Sequence, residues 1–266
     1  IKNISELSAH AAGTVVDVVG PSGADLGAGV LNRQASIVVR RMEGLASGTE
    51  VEQELLRSRL RAAFAARERA GNATYGRVVN GEQDGLPGIS VDRFGQAAVI
   101  TFESLSSAQF EFLVQEEISR WAGKLKLLVA HRMTSKKEKW AQDGSEFTTN
   151  IVLGDTSVIS VSEPPCVFEF DVHQGIIGHW HYSLEALKRE LVPLVVGGGT
   201  VLDAWSHVGQ WGIRCAKQGA SEVVMLEESL SFAQVCRNNV AKNDVGDQCT
   251  VLHRGSVLDE LRNMET

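Results

Sequence analysis

Two carboxylates bracket a glycine loop in the last third of the chain, at a spacing that suits a bound nucleoside. Asp203 lies in an apolar run, Val201-Leu202-Asp203-Ala204-Trp205, that reads as a β-strand. Ser206-His207-Val208-Gly209-Gln210-Trp211-Gly212 follows as a loop, and Ile213, Cys215 and Ala216 carry a helix to Gly219, a residue suited to a helix C-terminus. A second apolar strand, Val223-Val224-Met225-Leu226, then ends on Glu227. An acidic residue roughly 20 positions past a glycine loop can accept both hydroxyls of a ribose. A dinucleotide would ask for a third glycine, so that its pyrophosphate could settle on the helix N-terminus. This loop offers Gly209 and Gly212. The pattern therefore favours a ligand without a pyrophosphate, of which S-adenosylmethionine is the common one. A purely structural alternative stands beside it, because any buried α/β strand can end in Asp before a glycine loop.

Other residues with chemistry are less well placed. Pro164-Pro165-Cys166 imitates a nucleophile motif, but it precedes the first strand of the nucleotide-binding unit, and a turn is the expected role. The double proline also suits a hinge into the last domain. Asp171, His173, His179 and His181 have ligand chemistry without a fourth partner at motif spacing, so surface or stacking histidines are expected rather than a metal site. Cys166, Cys215, Cys236 and Cys249 show no C-x-x-C spacing and sit in or beside apolar segments, as small core residues do. Cations gather in one place. Thr49-Glu50-Val51-Glu52 is a capping box, and the helix it opens buries Leu56, Leu60, Ala63 and Phe64 while carrying Arg57, Arg59, Arg61, Arg67 and Arg69 on its other faces. With Arg33, Arg40 and Arg41 nearby in sequence, either a phosphate-binding patch or a solvated charged face is expected.

The elements that must position these groups are legible in outline. Alternation from Thr14, a turn at Gly20-Pro21-Ser22-Gly23, a run through Leu26 to Leu31 and a strand from Ser36 to Arg40 make a small β unit. Turn residues crowd Tyr75 to Gly95, a strand follows from Ala97 to Phe102, and a helix from Ser107 turns Phe110, Val114, Ile118 and Trp121 inward. Strands at Leu125 to Ala130, Phe147 to Leu153 and Ser157 to Val161 complete an α+β unit, and Thr250-Val251-Leu252 adds a third parallel strand near the end. With 26 basic against 33 acidic residues the net charge is -7, so any nucleic-acid surface must be local. No run is long and apolar enough for a membrane span and no signal peptide opens the chain, which predicts a cytoplasmic protein that touches no membrane. The start at Ile1 and the stop just past the third parallel strand predict a fragment of a longer protein.

The string Tyr75-Gly76-Arg77-Val78-Val79-Asn80-Gly81-Glu82-Gln83-Asp84-Gly85-Leu86-Pro87-Gly88-Ile89-Ser90-Val91-Asp92-Arg93-Phe94-Gly95 resembles the PUA-containing, S-adenosylmethionine-dependent large-subunit ribosomal RNA cytosine-C5 methyltransferases, and the likeness covers nearly the whole chain. It implies an α/β and α+β multidomain fold. The parts would be a PUA-like β domain over 1–48, a linking helix and central α+β domain over 49–165, and a Rossmann-like methyltransferase domain over 166–266, incomplete at its end. It also implies S-adenosyl-L-methionine as cofactor and ribosomal RNA as partner. Asp203, Ser206 and Gly209 match the first cofactor motif, and Glu227 with Ser229 matches the acidic ribose motif. Arg33, Arg40, Arg57 and Arg61 are the expected RNA contacts. The chain departs from the family at Gly175-Ile176-Ile177-Gly178-His179-Trp180-His181-Tyr182-Ser183-Leu184, where a Lys, Thr, Asp and Arg are usual, at Gln210 in place of a glycine and at Ser256 in place of an aspartate. The family's D-P-P motif and nucleophilic cysteine follow the fourth strand, so no catalytic residue is expected within these residues. Two other readings are open: a non-catalytic RNA-binding relative with an eroded cofactor site, and a dinucleotide-dependent enzyme using Gly209 and Glu227.

Overall fold

A computed structural model of the protein describes residues 10–11, 13–32, 37–48, 53–71, 73–133, 147–174, 180 and 182–264. The chain divides into two units, Ile1–Thr156 and Ser157–Thr266.

The first unit opens with an antiparallel sheet of β1 (Val15–Val19), β2 (Asp25–Leu31) and β3 (Val39–Arg41) in sequence order. Gly27 on β2 has φ +89°, and a Cβ there would lie 2.3 Å from the Leu45 carbonyl oxygen that Ala28 N–H donates to. A side chain is therefore excluded at that position. Helix α1 (Gln53–Arg69) buries Leu56, Leu60, Ala63 and Phe64, the face that its apolar spacing predicts. The capping box assigned to its start, and Arg33, lie outside the described residues.

Beneath α1 runs a five-stranded sheet ordered β4 (Tyr75–Asn80), β5 (Ile89–Phe94), β6 (Ala97–Phe102), β7 (Leu127–Met133) and β8 (Phe147–Leu153). Its neighbours pair antiparallel except β6 with β7, which are parallel and so need a crossover. The crossover is not the single helix expected from Ser107. Ser104 caps α2 (Leu105–Ala108) in a reciprocal box with Ser107, and the chain breaks at Gln109 and Phe110 before α3 (Glu111–Trp121). The serines crowded at 104, 106 and 107 bond to one another and to nearby backbone, which starts a helix early and ends it within a turn. Val114 and Ile118 do face the core, and Trp121 stacks on Phe64 with centroids 4.2 Å apart.

The second unit begins with a hairpin of β9 (Val158–Glu163) and β10 (Cys166–Asp171). Pro164 and Pro165 form its two-residue turn, which corrects their reading as an interdomain hinge: Glu163 pairs directly with Cys166 across them. Helix α4 (Glu185–Val196) was not legible in the sequence. Among its described side chains Lys188 and Val192 are buried, while Leu187, Leu191 and Leu194 stay exposed, so a lysine takes a core position and leucines face out. Three parallel strands follow in the order β11 (Thr200–Ala204), β12 (Glu222–Glu227), β13 (Cys249–His253), with α5 (Gln210–Lys217), α6 (Leu230–Lys242) and α7 (Val257–Met264) between and after them. Strand, loop, helix and strand between Val201 and Glu227 fall where the sequence places them.

Candidate ligand site at the strand ends

Parallel strands deliver their C-terminal ends to one edge of the sheet, so Asp203 on β11 and Glu227 on β12 come to the same side of the loop that joins β11 to α5. Asp203 Oδ2 accepts the N–H of Gly212 in the first turn of α5 at 2.8 Å. Burial pushes this carboxyl up to about 6 against the pull of that bond, with the negative charge of Glu227 adding to the rise. Gly212 is what allows the approach: a Cβ there would sit 2.6 Å from Met225 Sδ and 3.0 Å from Asp203 Oδ2.

Glu227 clasps the other end of the loop. One carboxylate oxygen accepts the His207 N–H and the other the Ser229 N–H, each at 2.8 Å. Ser206 N–H donates to the Leu226 carbonyl, which fastens the loop to β12 a second time. Ser229 is the N-cap of α6 and its hydroxyl accepts from Phe232 N–H. The capping and ribose readings of Glu227 are thus compatible, since a carboxylate has about four acceptor positions and the backbone takes two.

The loop between these clasps is wound unusually tightly. Trp205, His207 and Gly209 all have positive φ, at 57°, 54° and 86°, and only the last is a glycine. Left-handed residues of this kind cost about 1–3 kcal/mol each and persist where surrounding contacts hold them. Gly209 has no alternative, because a Cβ would lie 2.7 Å from Ile213 Cδ1 and 2.9 Å from Cys236 Sγ. Trp205 projects half-exposed at the tip. Ser206 and Gln210 are buried, and among the described residues the Gln210 Nε2 has no hydrogen-bond partner.

Asp203, Ser206, Gly209, Glu227 and Ser229 are therefore brought together in one loop and its two clasps. Asn239 on α6, which sequence reasoning missed, completes the support: it is buried and bonds both to β10 and to the loop, while Asn243 at the C-cap of α6, buried and also missed, bonds to β10 alone of the two. Their signal was available as two amides four residues apart on a face otherwise made of Ala233, Cys236 and Val240. A buried cluster was missed as well: Lys188 Nζ donates to both oxygens of Glu163 at 2.8 Å, and Arg214 lies 3.1 Å from the same carboxylate. It pins α4 and α5 to the hairpin.

The arginines are placed differently from expectation. Arg57 meets Glu116 and Glu117 on α3 at 2.7 Å each, Arg61 meets Glu117 and Glu54 at 3.1 Å, and Arg67 grips Asp84 with two parallel bonds. Arg59 donates to the carbonyls of Gly85 and Glu43, and Arg40 pairs with Glu82. Burial would raise Glu117, but Arg61 and Arg57 outweigh it and hold its carboxyl below the usual range. This corrects the picture of an open arginine face: at Arg40, Arg57 and Arg61 a phosphate would have to displace carboxylates already in place.

Cys166, Cys215 and Cys236 are buried as core residues, and Cys249 is half-buried. Burial pushes the thiols of Cys166, Cys215 and Cys249 up to about 11 and that of Cys236 to about 12. None is a thiolate at neutral pH. Asp171 spends its carboxylate on the Ser157 hydroxyl and the His173 N–H, and among the described residues no group of three or more His, Cys, Asp or Glu could hold a metal ion. His179, His181, Ile176 and Ile177 lie outside the described residues.

No protein-family model matches the chain. Among curated proteins it is 25% identical over 256 residues to ribosomal RNA large subunit methyltransferase I of Shewanella denitrificans, an alignment covering 94% of this chain and 63% of that protein. It is 28% identical over 205 residues to a ribosomal RNA large subunit methyltransferase of Deinococcus radiodurans, covering 73% and 49%. The chain thus spans less than two thirds of the length of these relatives. Among solved structures, a Streptococcus mutans protein assigned as a SAM-dependent methyltransferase superposes with a TM-score of 0.76 at 11% identity, over 96% of this chain and 66% of that one. A structure assigned as a methyltransferase and complexed with SAH gives 0.74 at 12% identity, over 96% and 65%. The chain therefore has the fold of these methyltransferase structures, and along most of its length its sequence is similar to that of a large-subunit ribosomal RNA methyltransferase.

Proposed function

We propose that the chain is the cofactor-binding part, with an attached α+β unit, of an S-adenosylmethionine-dependent methyltransferase that acts on large-subunit ribosomal RNA in the cytoplasm. The observation that carries this reading is the pair of clasps: two carboxylates on adjacent parallel strands hold opposite ends of one strained glycine loop. Such a loop fits the cofactor. Gly209 and Gly212 are positions where no side chain can stand, because a Cβ would run into Ile213 and Cys236 or into Met225 and Asp203, and so they let the loop turn tightly into the start of α5. When bound, S-adenosylmethionine supplies a methyl group on a sulfonium, ready for transfer to a nucleophile.

In this proposal Glu227 accepts the ribose hydroxyls with the acceptor capacity it does not give to His207 and Ser229. Asp203 sets the start of α5 by holding Gly212, Ser206 and Gly209 shape the loop, and Ser229 fixes α6 beneath Glu227. The relatives are named for ribosomal RNA, and we extend that substrate to this chain, with C5 of a cytosine as the target position. That chemistry needs a thiolate to add at C6, making C5 nucleophilic, and a base to remove the C5 proton before the thiolate departs. In this proposal the nucleophile belongs to another part of the full-length enzyme. The β1–β3 sheet is proposed as part of a PUA-like module. Arg61, whose side chain remains 53% exposed, is kept as an RNA contact, with Arg57 as its buttress. No described helix is long and apolar enough to cross a membrane.

Calorimetric titration of S-adenosylhomocysteine into wild type and Glu227→Ala tests the reading. Hydrogen bonds to a charged group are worth about 1.5–3 kcal/mol, so the substitution should weaken binding by about one to two orders of magnitude. No binding to wild type at millimolar ligand overturns the assignment. Tritiated methyl incorporation into 23S RNA by the full-length protein, with the modified base mapped, tests substrate and position.

A further inference from the structure

Strand β10 pairs with β9 along one edge, and the other edge is finished by helix α6 in an unusual way. Asn243 Oδ1 accepts the Val167 N–H at 2.9 Å while its Nδ2 donates back to the Val167 carbonyl at 2.6 Å. Asn239 Oδ1 accepts the Glu169 N–H at 2.8 Å. The match is geometric. Four residues of helix advance by about 6 Å and two residues of strand by about 6.8 Å, so carboxamides at i and i+4 meet alternate residues of one strand edge. Alternate residues are the ones that present their N–H groups to the same side.

Asn243 spends its remaining capacity on its own helix, at the Asn239 carbonyl. Asn239 does not. Its Nδ2 donates to the carbonyl of Val208 at 3.1 Å, in the middle of the loop between the Asp203 and Glu227 clasps. Val208 is flanked by His207 and Gly209, both in the left-handed region. Asn239 is fully buried, so neither of its bonds can be replaced by solvent. One carboxamide thus joins the hairpin, α6 and the glycine loop.

We propose that Asn239 is a positioning residue for the ligand loop: by holding the Val208 carbonyl it keeps His207 and Gly209 in their left-handed conformations, and so sets the backbone that the ligand meets. The effect on affinity rests on the cofactor reading above, whereas the effect on the loop itself does not. Asn243 supplies the control, because it also bonds the edge of β10, at Val167 one turn away, and touches no part of the loop.

The test compares Asn239→Asp with Asn243→Asp in the whole chain. Each carboxylate keeps the acceptor for its strand N–H and loses the donor, and only at position 239 does that leave the Val208 carbonyl facing an oxygen. Amide hydrogen exchange is followed at His207, Val208 and Gly209, and S-adenosylhomocysteine affinity is measured at a temperature where circular dichroism shows both variants folded. Asn239→Asp is expected to speed exchange at these three amides at least tenfold and to weaken ligand binding at least tenfold. Asn243→Asp should lower the melting temperature comparably while leaving loop exchange and affinity within about twofold of wild type. If Asn239→Asp prevents folding, Asn239→Ser carries the same readouts. Loop exchange unchanged in the position-239 variant, or accelerated equally in the position-243 variant, overturns the proposal. Wild type that shows the exchange contrast yet binds no S-adenosylhomocysteine sinks the cofactor reading and leaves the positioning role standing.

Discussion

Replacing Asp203 by asparagine should stabilise the protein at neutral pH and remove one component of its acid response. The carboxyl accepts the Gly212 N–H, and an asparagine can present its amide oxygen to the same donor. What the substitution removes is the cost of holding a charge in a buried place. Asp203 titrates at about 6 in the fold against 3.8 in its ordinary state, which corresponds to about 3 kcal/mol at most. The sign follows from the direction of the rise. A carboxyl whose folded value is raised favours the folded state fully below about pH 4, and that contribution is lost as pH climbs through about 6. Wild type should therefore lose stability relative to the Asp203→Asn variant between about pH 4 and 7, and above about pH 7 the variant should lead by up to about 3 kcal/mol. Glu117 and Asp25, whose carboxyls are held below their usual range, push the opposite way, so the difference between the two proteins is the informative quantity rather than either curve alone. Urea unfolding of both proteins at half-unit steps from pH 4 to 8 measures it. A difference independent of pH, or a variant less stable than wild type at pH 7.5, would refute the idea that Asp203 is held against its own desolvation.

Gly212→Ala should lower the urea midpoint by an amount worth about 1–3 kcal/mol, the usual cost of overpacking, because the new methyl meets Met225 Sδ and Asp203 Oδ2; an unchanged midpoint would show that α5 can shift freely. Arg57→Ala should lower the melting temperature and leave the salt dependence of RNA binding unchanged, since its charge is already matched by Glu116 and Glu117; a slope reduced by about one would mean that it contacts phosphate. Cys166, Cys215 and Cys236, all buried with thiols at about 11 to 12, should react with a thiol reagent only as fast as the protein unfolds, and labelling of more than one thiol per chain within seconds at pH 7.5 would contradict their burial.

How much of this was legible in the sequence depended on whether a signal was local. Val201 to Glu227 showed itself because apolar strand, glycine loop, helix and apolar strand each carry their own pattern, and Asp203 and Glu227 stand at fixed offsets within it. Helix α1 was read for the same reason. Helix α4 was not, because a lysine occupies a core position there and leucines face out; only the distant partner Glu163 makes that arrangement sensible. The arginines are the opposite case. Their spacing on α1 is helical and was seen, but Glu116, Glu117 and Asp84 lie far along the chain, so an ion-paired interface looks the same in sequence as a basic surface. The split of the crossover at Gln109 turned on serine hydroxyls competing for backbone, which residue type hints at without fixing. Asn239 and Asn243 were passed over because an amide on a helix is usually solvated, and only the packing of β10 against α6 shows otherwise.

The amides on β10 also bear on how this hairpin avoids misassociation. A strand edge with open N–H and carbonyl groups is a template for pairing with another chain, and proteins commonly blunt such edges with charge, proline or a bulge. Here the protection comes from side chains that imitate a neighbouring strand at Val167 and Glu169, so a foreign strand would find those groups already engaged. Because the same helix buries Ala233, Cys236 and Val240 elsewhere on its surface, the edge stays shielded for as long as α6 stays docked. A form in which α6 has come away from the hairpin is then the one that exposes β10 to pairing with another chain.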